Sequence, residues 1–207
     1  MVGEEPTSDR EAREWISAHL QDGDPFREIY SATERHRVEH RCEAYASSNG
    51  PLLGVLARSV GARRSLEIGT ALGYTAAWLA HGSPGGQVDT VEADPGHAEL
   101  ARSELRRVGV GERVRVHVGK SPRALDGLEP GYDLVFYDAS IPTIEELAAF
   151  RALLRTGGLL VTSNLFLGVY DPSMPALSHG AESRRELLDR EHWLTTFADL
   201  KALSVRL

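Results

Sequence analysis

Cysteine is almost absent from this chain, and long hydrophobic runs are missing. Cys42 is the single cysteine among 207 residues, which excludes an internal disulfide and a zinc cluster built from several cysteines and fits a reducing compartment. The longest apolar runs, such as residues 159–161, have the length of one strand, whereas about 20 apolar residues are needed to span a bilayer. The first residues are acidic and do not resemble a signal peptide. We therefore expect a cytoplasmic protein that does not enter a membrane.

Lysine is also scarce, and the acidic residues outnumber the basic ones, 30 to 23. The formal net charge is −7, whereas a protein that binds a nucleic-acid backbone needs a basic surface. We therefore expect a small-molecule partner and no nucleic acid. Lys120 and Lys201 are the only lysines among 23 lysines and arginines, which we interpret as a compositional bias without functional content. Cys42 lies in a charged stretch without any cysteine-enzyme signature, and we do not expect it to be a catalytic thiol.

The length of the chain indicates one globular domain. Its 207 residues can form one sizeable α/β core but not two independent ones. Residues 10–47 look helical throughout, with apolar residues at helical spacing but without a continuous core face. We therefore predict a single domain over residues 1–207, in which residues 1–48 form a helical cap and residues 49–207 form the core.

From residue 64 onward, short apolar strands alternate with amphipathic helices, which is typical of a parallel sheet covered by helices on both faces. The predicted strands lie near 65–68, 87–92, 113–118, 133–137 and 158–163, and residues 193–198 and 202–206 form an edge hairpin. The predicted helices run over residues 52–60, from the N-cap Asp94 to Gly109, and from Ser140 to about Gly158. The sequence therefore predicts an α/β fold.

A glycine-rich turn follows the first strand, between Glu67 and Thr75. Gly69 would let a ligand approach the backbone closely, and the N-terminus of the following helix favours an anionic group. Glu92 ends the next strand, where an acidic side chain can accept hydrogen bonds from both hydroxyls of a ribose. A tight β-α turn and a surface glutamate are the alternatives. Together the two features favour a nucleoside cofactor.

Two residues bear on which cofactor this is. A dinucleotide-binding turn of the form G-x-G-x-x-G needs a third glycine at the position of Ala71. Glu67 can reach a cationic amino-acid group such as that of S-adenosylmethionine, either directly or through water. The sequence therefore favours a methyltransferase that uses S-adenosylmethionine. An NAD(P)-dependent oxidoreductase and a catalytically silent S-adenosylmethionine-binding protein remain alternatives.

Four motifs also resemble those of one family. They are Leu66 to Thr70 with Gly73 to Thr75, Val91 to Asp94, Tyr132 to Ala139, and Arg155 to Val161. From about Asn49 to Leu165, and more faintly to the C-terminus, the chain resembles the small bacterial and plant O-methyltransferases that include catechol and caffeoyl-coenzyme A O-methyltransferases. The resemblance implies a Rossmann-like, mostly parallel seven-stranded sheet with helices on both faces and an N-terminal helical cap. It also implies methyl transfer to a hydroxyl of a small acceptor, aromatic acceptors included, and a homodimer.

The resemblance also implies where the cofactor binds. The methionine part would lie along the glycine-rich turn, the ribose at the end of the second strand, and the adenine after the third strand, with one further contact at the end of the fourth strand. The residues at these places are Glu67, Gly69, Thr70, Gly73, Tyr74 and Thr75, then Glu92 and Ala93, then Gly119, Lys120 and Ser121, and finally Asp138.

The acceptor side departs from the family. The family binds a divalent metal, and Asp138 and Asn164 fall on two of its ligand positions, but Ser163 stands where the third ligand is an aspartate. A hydroxyl is a poor ligand for a hard cation, so we expect no catalytic metal. If a metal does bind, we expect Asp138 and Asn164 to be its ligands. Ser140 replaces a second acid, and Ile141 replaces the lysine that often serves as the base.

A histidine is the natural base when no metal binds. His36 and His40 lie four residues apart on one helical face and could overhang the cofactor, and His179 lies in the segment 166–180 that we expect to cover the acceptor. The remaining histidines in the core region, His81, His97 and His117, are interpreted as residues of helix surfaces and a strand. The sequence does not assign the catalytic residue.

Overall fold

The computed structural model of the protein describes residues 8–166, 180–198 and 200–207. These residues form one seven-stranded sheet with the strand order β3-β2-β1-β4-β5-β7-β6. The strands are β1 Arg64–Ile68, β2 Gln87–Glu92, β3 Val114–Val118, β4 Tyr132–Tyr137, β5 Leu154–Thr162, β6 Trp193–Ala198 and β7 Lys201–Arg206. The first five strands are parallel, and β7 pairs antiparallel with both β5 and β6. The predicted fold class and the edge hairpin are confirmed.

The described helices cover both faces of this sheet. They are α1 Asp9–Asp22, α2 Arg27–His40, α3 Gly50–Ser59, α4 Tyr74–Gly82, α5 Pro95–Arg107, α6 Ile144–Leu153 and α7 Gly180–Leu187. Successive residues of a strand point to opposite faces, so Phe136 packs in the apolar cluster under α3, α4 and α5, whereas Val135 packs in the cluster under α6 and α7. Among the described helices, none has the length and apolar character needed to cross a membrane.

The N-terminal region is less helical than predicted. A break at residues 23–26 separates α1 from α2, and the Asp24 carboxylate accepts a hydrogen bond from the Phe26 N–H there at 2.8 Å. Helix α2 ends at His40 because Arg41 adopts a left-handed conformation, with φ of 51°. Residues 41–49 are therefore not helical, and the prediction of a helix through residue 47 is wrong.

One helix boundary in the core also differs from the prediction. The capped start of α5 is confirmed, because Asp94 Oδ1 accepts hydrogen bonds from the N–H groups of Gly96 and His97 at 2.7 and 3.0 Å. The helix after Ser140, however, ends at Leu153 rather than near residue 158. Strand β5 begins at the next residue, Leu154, which already pairs with β4. Pairing with the neighbouring strand overrides the helical periodicity here.

Strand order places the ligand-binding edge of the sheet. The order reverses between β1 and β4, whose partners on their outer sides are β2 and β5. In open α/β sheets, ligands bind beyond the carboxyl ends of the strands at such a reversal. The glycine-rich turn after β1 and the loop after β4 meet at this edge.

Helix α4, which begins at the end of the glycine-rich turn, is held against α3 by glycines. A Cβ atom at Gly82 would collide with the carbonyl oxygen of Gly54, and one at Gly54 would lie 2.8 Å from the ring of Trp78. The two helices therefore approach at backbone distance, which only residues without a side chain allow. This contact fixes the direction in which α4 leaves the turn.

Replacing Gly82 by alanine should destabilise the protein. The added methyl group meets backbone rather than a movable side chain, and overpacking of this kind costs about 1–3 kcal/mol. Thermal unfolding of Gly82→Ala should show a lower Tm than the wild type. Gly127→Ala is the matched control, because its methyl group would have no neighbour within 4 Å. Equal Tm values for the two variants would contradict the close packing of α3 and α4.

Candidate active site

A cavity of about 830 Å³ opens at the carboxyl ends of the parallel strands. Cavities of roughly 300–1,000 Å³ are typical of sites for small molecules and cofactors. Its floor comes from the ends of β1, β2, β4 and β5 and the loop after β3, and its other walls come from the β6–β7 turn and the segment 43–49. The reversal of strand order therefore coincides with a cavity of the right size for a cofactor and a small acceptor.

Most of the predicted site residues line this cavity, and some do not. Those that line it are Gly69, Glu92, Ala93, Gly119, Lys120, Ser121, Asp138, Ser163 and Asn164. Those absent from its lining are Glu67, Thr70, Gly73, Tyr74 and Thr75. Whether a residue of the turn lines the cavity depends on whether it points towards the cavity or towards the protein interior.

Gly69 and Gly73 allow close contacts with different parts of the protein. Gly69 has a φ of 100°, and a Cβ there would lie 3.3 Å from the backbone N of Ala139 in the loop after β4. A glycine is required at this position for the turn and the loop to approach each other at the floor of the cavity. A Cβ at Gly73 would lie 3.1 Å from Leu105 Cγ. Gly73 therefore allows the turn to pack on α5 and does not face the cavity.

Two other side chains of the turn face the protein interior. The hydroxyl of Thr70 lies 2.5 Å from that of Thr90 on β2. The Tyr74 hydroxyl donates to Asp24 Oδ2 at 2.6 Å, and burial raises the pKa of Tyr74. These contacts attach the turn to β2 and to the linker between α1 and α2. Any contact of Thr70 or Tyr74 with a ligand would have to come from the backbone.

Glu92 is held rigidly at the edge of the cavity. Its Oε2 accepts a hydrogen bond from the Ala71 N–H at 2.8 Å, and its Oε1 accepts one from the Asp94 N–H at 2.9 Å. A carboxylate can accept about four hydrogen bonds. The two backbone bonds therefore orient the group and leave acceptor capacity for two ligand hydroxyls.

Glu67 lies beneath the turn and is fully buried. The Thr90 hydroxyl donates to its Oε2 at 2.6 Å, whereas its Oε1 has no hydrogen-bond partner within the described part of the chain. Burial raises the pKa of Glu67 to about 8, against the lowering effect of hydrogen bonds from Thr75 and Thr90. A buried carboxyl group with an unused oxygen fits a cationic ligand group, because the cation would stabilise its ionised form.

Asp138 lines the cavity just beyond the end of β4. Asn164 Nδ2 donates to its Oδ1 at 3.3 Å, and hydroxyls of Ser47 and Ser163 also donate to it. Burial raises the pKa of Asp138 to about 6, although these hydroxyls and the positive charge of Lys201 act in the opposite direction. The group is therefore ionised at neutral pH and gains a proton in mild acid.

The residues around Asp138 do not fit a divalent metal. Among the described residues, the side chains that hydrogen-bond to Asp138 are neutral, Asn164 and Ser163 among them, so this group contributes the single carboxylate of Asp138. Hard cations such as Mg²⁺ prefer several oxygen ligands that include more than one charged group. Lys201 lines the same cavity and acts on Asp138 through its positive charge, which would repel a second cation.

The predicted bases are not brought to the cavity. Within the described ranges, no histidine lines it. The rings of His36 and His40 lie 4.4 Å apart on α2, and His36 faces His97 rather than the cavity. His179 and most of the expected acceptor loop lie at positions 167–179, outside the described residues. Ile141, which replaces the family's lysine, is buried.

The structure also adds cavity residues that sequence reasoning missed. Lys201 lines the cavity beside the predicted Lys120, and sequence reasoning did not place it there. The scarcity of lysine beside abundant arginine was the available signal for Lys201. The segment from Glu43 to Asn49 forms one wall of the cavity. Because residues up to 47 were predicted to be helical, the sequence did not indicate this wall. Asn49 Nδ2 donates to Ser163 Oγ at 3.1 Å and so connects this wall to the end of β5.

Comparisons with known proteins agree with this geometry. Residues 16–173 match the family described as O-methyltransferase. Over 128 residues the chain is 41% identical to a catechol O-methyltransferase of Mycobacterium tuberculosis, a match that covers 60% of this chain and 58% of that protein. It is 31% identical over 170 residues to a putative O-methyltransferase of Mycobacterium sp. strain KMS, covering 80% and 77% of the two chains.

A solved structure resembles nearly the whole chain. The O-methyltransferase TomG from Streptomyces achromogenes, which is involved in tomaymycin synthesis and was crystallised with S-adenosylmethionine, superposes with a TM-score of 0.77. The two proteins are 31% identical, and the match covers 98% of this chain and 99% of TomG. The overall arrangement of strands and helices is therefore shared from end to end.

Replacing Glu67 by glutamine should stabilise the ligand-free protein, and increasingly so as the pH rises. Burial raises the pKa of Glu67 from 4.5 to about 8, so the folded state keeps a proton that the unfolded chain loses. Stability is therefore lost as the pH rises between these two values. Glutamine does not titrate, and the Tm advantage of Glu67→Gln should grow between about pH 5 and pH 8.

The exposed Glu129 provides the control for this measurement. Glu129→Gln should have the wild-type Tm at each pH, because its carboxylate stays in water in both states. A Tm difference between Glu67→Gln and the wild type that stays constant with pH would show that Glu67 is ionised when the protein folds.

Proposed function

This chain belongs to the O-methyltransferase family and is an S-adenosylmethionine-dependent O-methyltransferase, and we propose that it methylates a hydroxyl of a small aromatic acceptor without a divalent metal. The name of the catechol O-methyltransferase that shares 41% identity supports a hydroxylated aromatic ring. The observation that carries the proposal is that Asp138 and Lys201 line one cavity, where the positive charge of Lys201 lowers the pKa of Asp138. The oxidoreductase alternative is not favoured.

On this proposal, the cofactor occupies the part of the cavity next to β1 and β2. Glu67, which is buried beneath the turn and does not line the cavity, acts on the ammonium group through its negative charge or through a water molecule. The rigid carboxylate of Glu92 accepts hydrogen bonds from the two ribose hydroxyls. Gly119 to Ser121 line the cavity beyond the end of β3 and flank the adenine. The cofactor, when bound, supplies a methyl group on a positively charged sulfonium, and the acceptor must lose a proton to take it.

The remaining cavity wall contains the groups that remove the proton from the acceptor hydroxyl and stabilise the resulting negative charge. The Asp138 carboxylate, whose pKa is raised to about 6 by burial, is ionised at neutral pH and takes the hydroxyl proton. Lys201 stabilises the negative charge that then develops on the acceptor oxygen, because charges interact more strongly in a site that excludes water. In the family that the sequence resembles, a metal ion supplies this positive charge. Here Lys201 supplies it.

Binding of the demethylated product, S-adenosylhomocysteine, tests the cofactor half of the site. Calorimetry should show binding to the wild type and an affinity at least about 10-fold lower for Glu92→Ala, which loses about 1.4 kcal/mol or more of hydrogen bonding. Glu92→Gln should also bind weakly, since it replaces one acceptor oxygen by a donor. Glu99→Ala on the exposed side of α5 should bind as the wild type does. Unchanged affinity in both Glu92 variants would refute this placement of the ribose.

Turnover of catechols and phenols tests the acceptor half. Lys201→Met should lower kcat by about 100-fold or more, because one preorganised charge is lost, while leaving the affinity for S-adenosylhomocysteine nearly unchanged. Lys201→Arg should retain more activity than Lys201→Met because it keeps the charge. Lys120→Met is the control for the loss of a lysine from the cavity. It should leave kcat nearly unchanged, since we place Lys120 beside the adenine and not beside the acceptor.

Magnesium dependence separates the proposed mechanism from that of a metal-dependent relative. Adding Mg²⁺ to chelator-treated enzyme should not raise turnover. If turnover requires Mg²⁺, or if Lys201→Met keeps the wild-type kcat, Lys201 does not replace a metal ion.

A further inference from the structure

Two histidines and the single cysteine meet outside the cavity. One ligand atom from each of His36, Cys42 and His97 lies within 4.8 Å of the other two. His36 is on α2, Cys42 follows the end of that helix, and His97 is in the first turn of α5. We propose that these three side chains bind a transition-metal ion such as Zn²⁺, at a site separate from the one that holds the acceptor.

The ligand types select this class of metal. Imidazole nitrogen and thiolate sulfur are typical ligands of Zn²⁺, whereas Mg²⁺ and Ca²⁺ prefer oxygen. In a tetrahedral zinc site the ligand atoms lie about 3.5 Å apart, so binding requires a small inward rotation of the side chains. Cys42 can supply this movement, because it lies in the segment after α2 that has no regular secondary structure. Water or a further side chain completes the coordination.

The three side chains are available to bind and lie close together. Cys42 forms no disulfide. The rings of His36 and His97 lie with their centroids 5.2 Å apart. His97 Nδ1 lies 3.9 Å from Glu92 Oε1, a distance that is too long for a hydrogen bond but places the cluster next to the Glu92 carboxylate.

A second cluster with metal-ligand atoms does not have this character. Glu186, Asp189 and His192 lie near the end of α7. His192 Nδ1 lies 3.3 Å from both carboxylates, so ion pairs account for this group. Its oxygen-rich composition also lacks the sulfur ligand that distinguishes the first cluster.

The position of the first cluster gives a bound metal a structural consequence. The segment that follows Cys42, from Glu43 to Asn49, forms one wall of the cavity. Two hydrogen bonds near its start are long: Cys42 N–H to the Arg37 carbonyl and Ala46 N–H to Glu34 Oε1, both at 3.4 Å. A metal held by Cys42 and His97 would connect this wall directly to α5 beside Glu92. It would therefore act as a clamp that holds the wall closed over the cofactor, an effect that rests on the proposed function.

Titration with Co²⁺ and Zn²⁺ tests the site directly. In chelator-treated protein, Co²⁺ should produce a near-ultraviolet charge-transfer band from the thiolate, and calorimetry should show one Zn²⁺ per chain. Cys42→Ser should abolish the band, and Cys42→Ser and His97→Gln should each weaken Zn²⁺ binding at least about 10-fold, or 1.4 kcal/mol. His117→Gln is the matched control, because His117 pairs with Asp89 at 2.7 Å away from the cluster. It should bind Zn²⁺ as the wild type does.

Each result bears on a different part of the proposal. Absence of the band, or Zn²⁺ binding that Cys42→Ser and His97→Gln leave unchanged, would overturn the site. If circular dichroism shows that one variant is unfolded, His36→Gln takes its place. Zn²⁺ should also tighten S-adenosylhomocysteine binding to the wild type about threefold or more but not to Cys42→Ser, and unchanged affinity would overturn the clamp. Metal binding needs no acceptor and no turnover, so its failure is distinguishable from failure of the methyltransferase proposal.

Discussion

The carboxylate of Glu92 joins the two turns on which the cavity depends. It accepts one hydrogen bond from the turn after β1, at Ala71, and another from the start of α5, at Asp94. The two turns belong to different β-α units, so the Glu92 side chain connects them through their backbone N–H groups. The same side chain therefore fixes the shape of the site and presents its remaining acceptor capacity to a ligand. Gly69 completes this frame, because it lets the loop after β4 come close to the turn.

Two buried carboxyl groups, Glu67 beneath the glycine-rich turn and Asp138 in the cavity, differ in the positive partner that each one has. Glu67 and Asp138 are carboxyl groups that burial makes easier to protonate, with pKa values of about 8 and 6. Each lies where a positive partner would offset the cost of its ionised form, an ammonium group of the ligand for Glu67 and Lys201 for Asp138. The chain supplies one of these partners itself, and on the proposed function the cofactor supplies the other. Without the cofactor, burial keeps Glu67 protonated at neutral pH, because its pKa is raised to about 8.

The sequence predicted the fold well because the fold depends on local patterns. The strand positions, the Asp94 cap and the glycine-rich turn all follow from short segments whose periodicity and capping residues are visible without the structure. The position of Glu92 and Asp138 in the cavity followed from the rule that ligands bind beyond the carboxyl ends of strands. What the sequence could not predict depends on contacts distant along the chain. Lys201 reaches the cavity only through the pairing of β7 with β5, and His97 meets Cys42 only because α5 packs near α2.

The direct passage from α6 into β5 at Leu153 and Leu154 has a consequence for how such enzymes diverge. No intervening residues exist at this point, so an insertion or deletion would shift the register of β5 and displace Ser163 and Asn164 at its end. The segment 41–49 carries no such constraint, because it joins helices α2 and α3 and no paired strands. Changes in this wall of the cavity should therefore alter the fit of an acceptor without disturbing the pairing of the sheet.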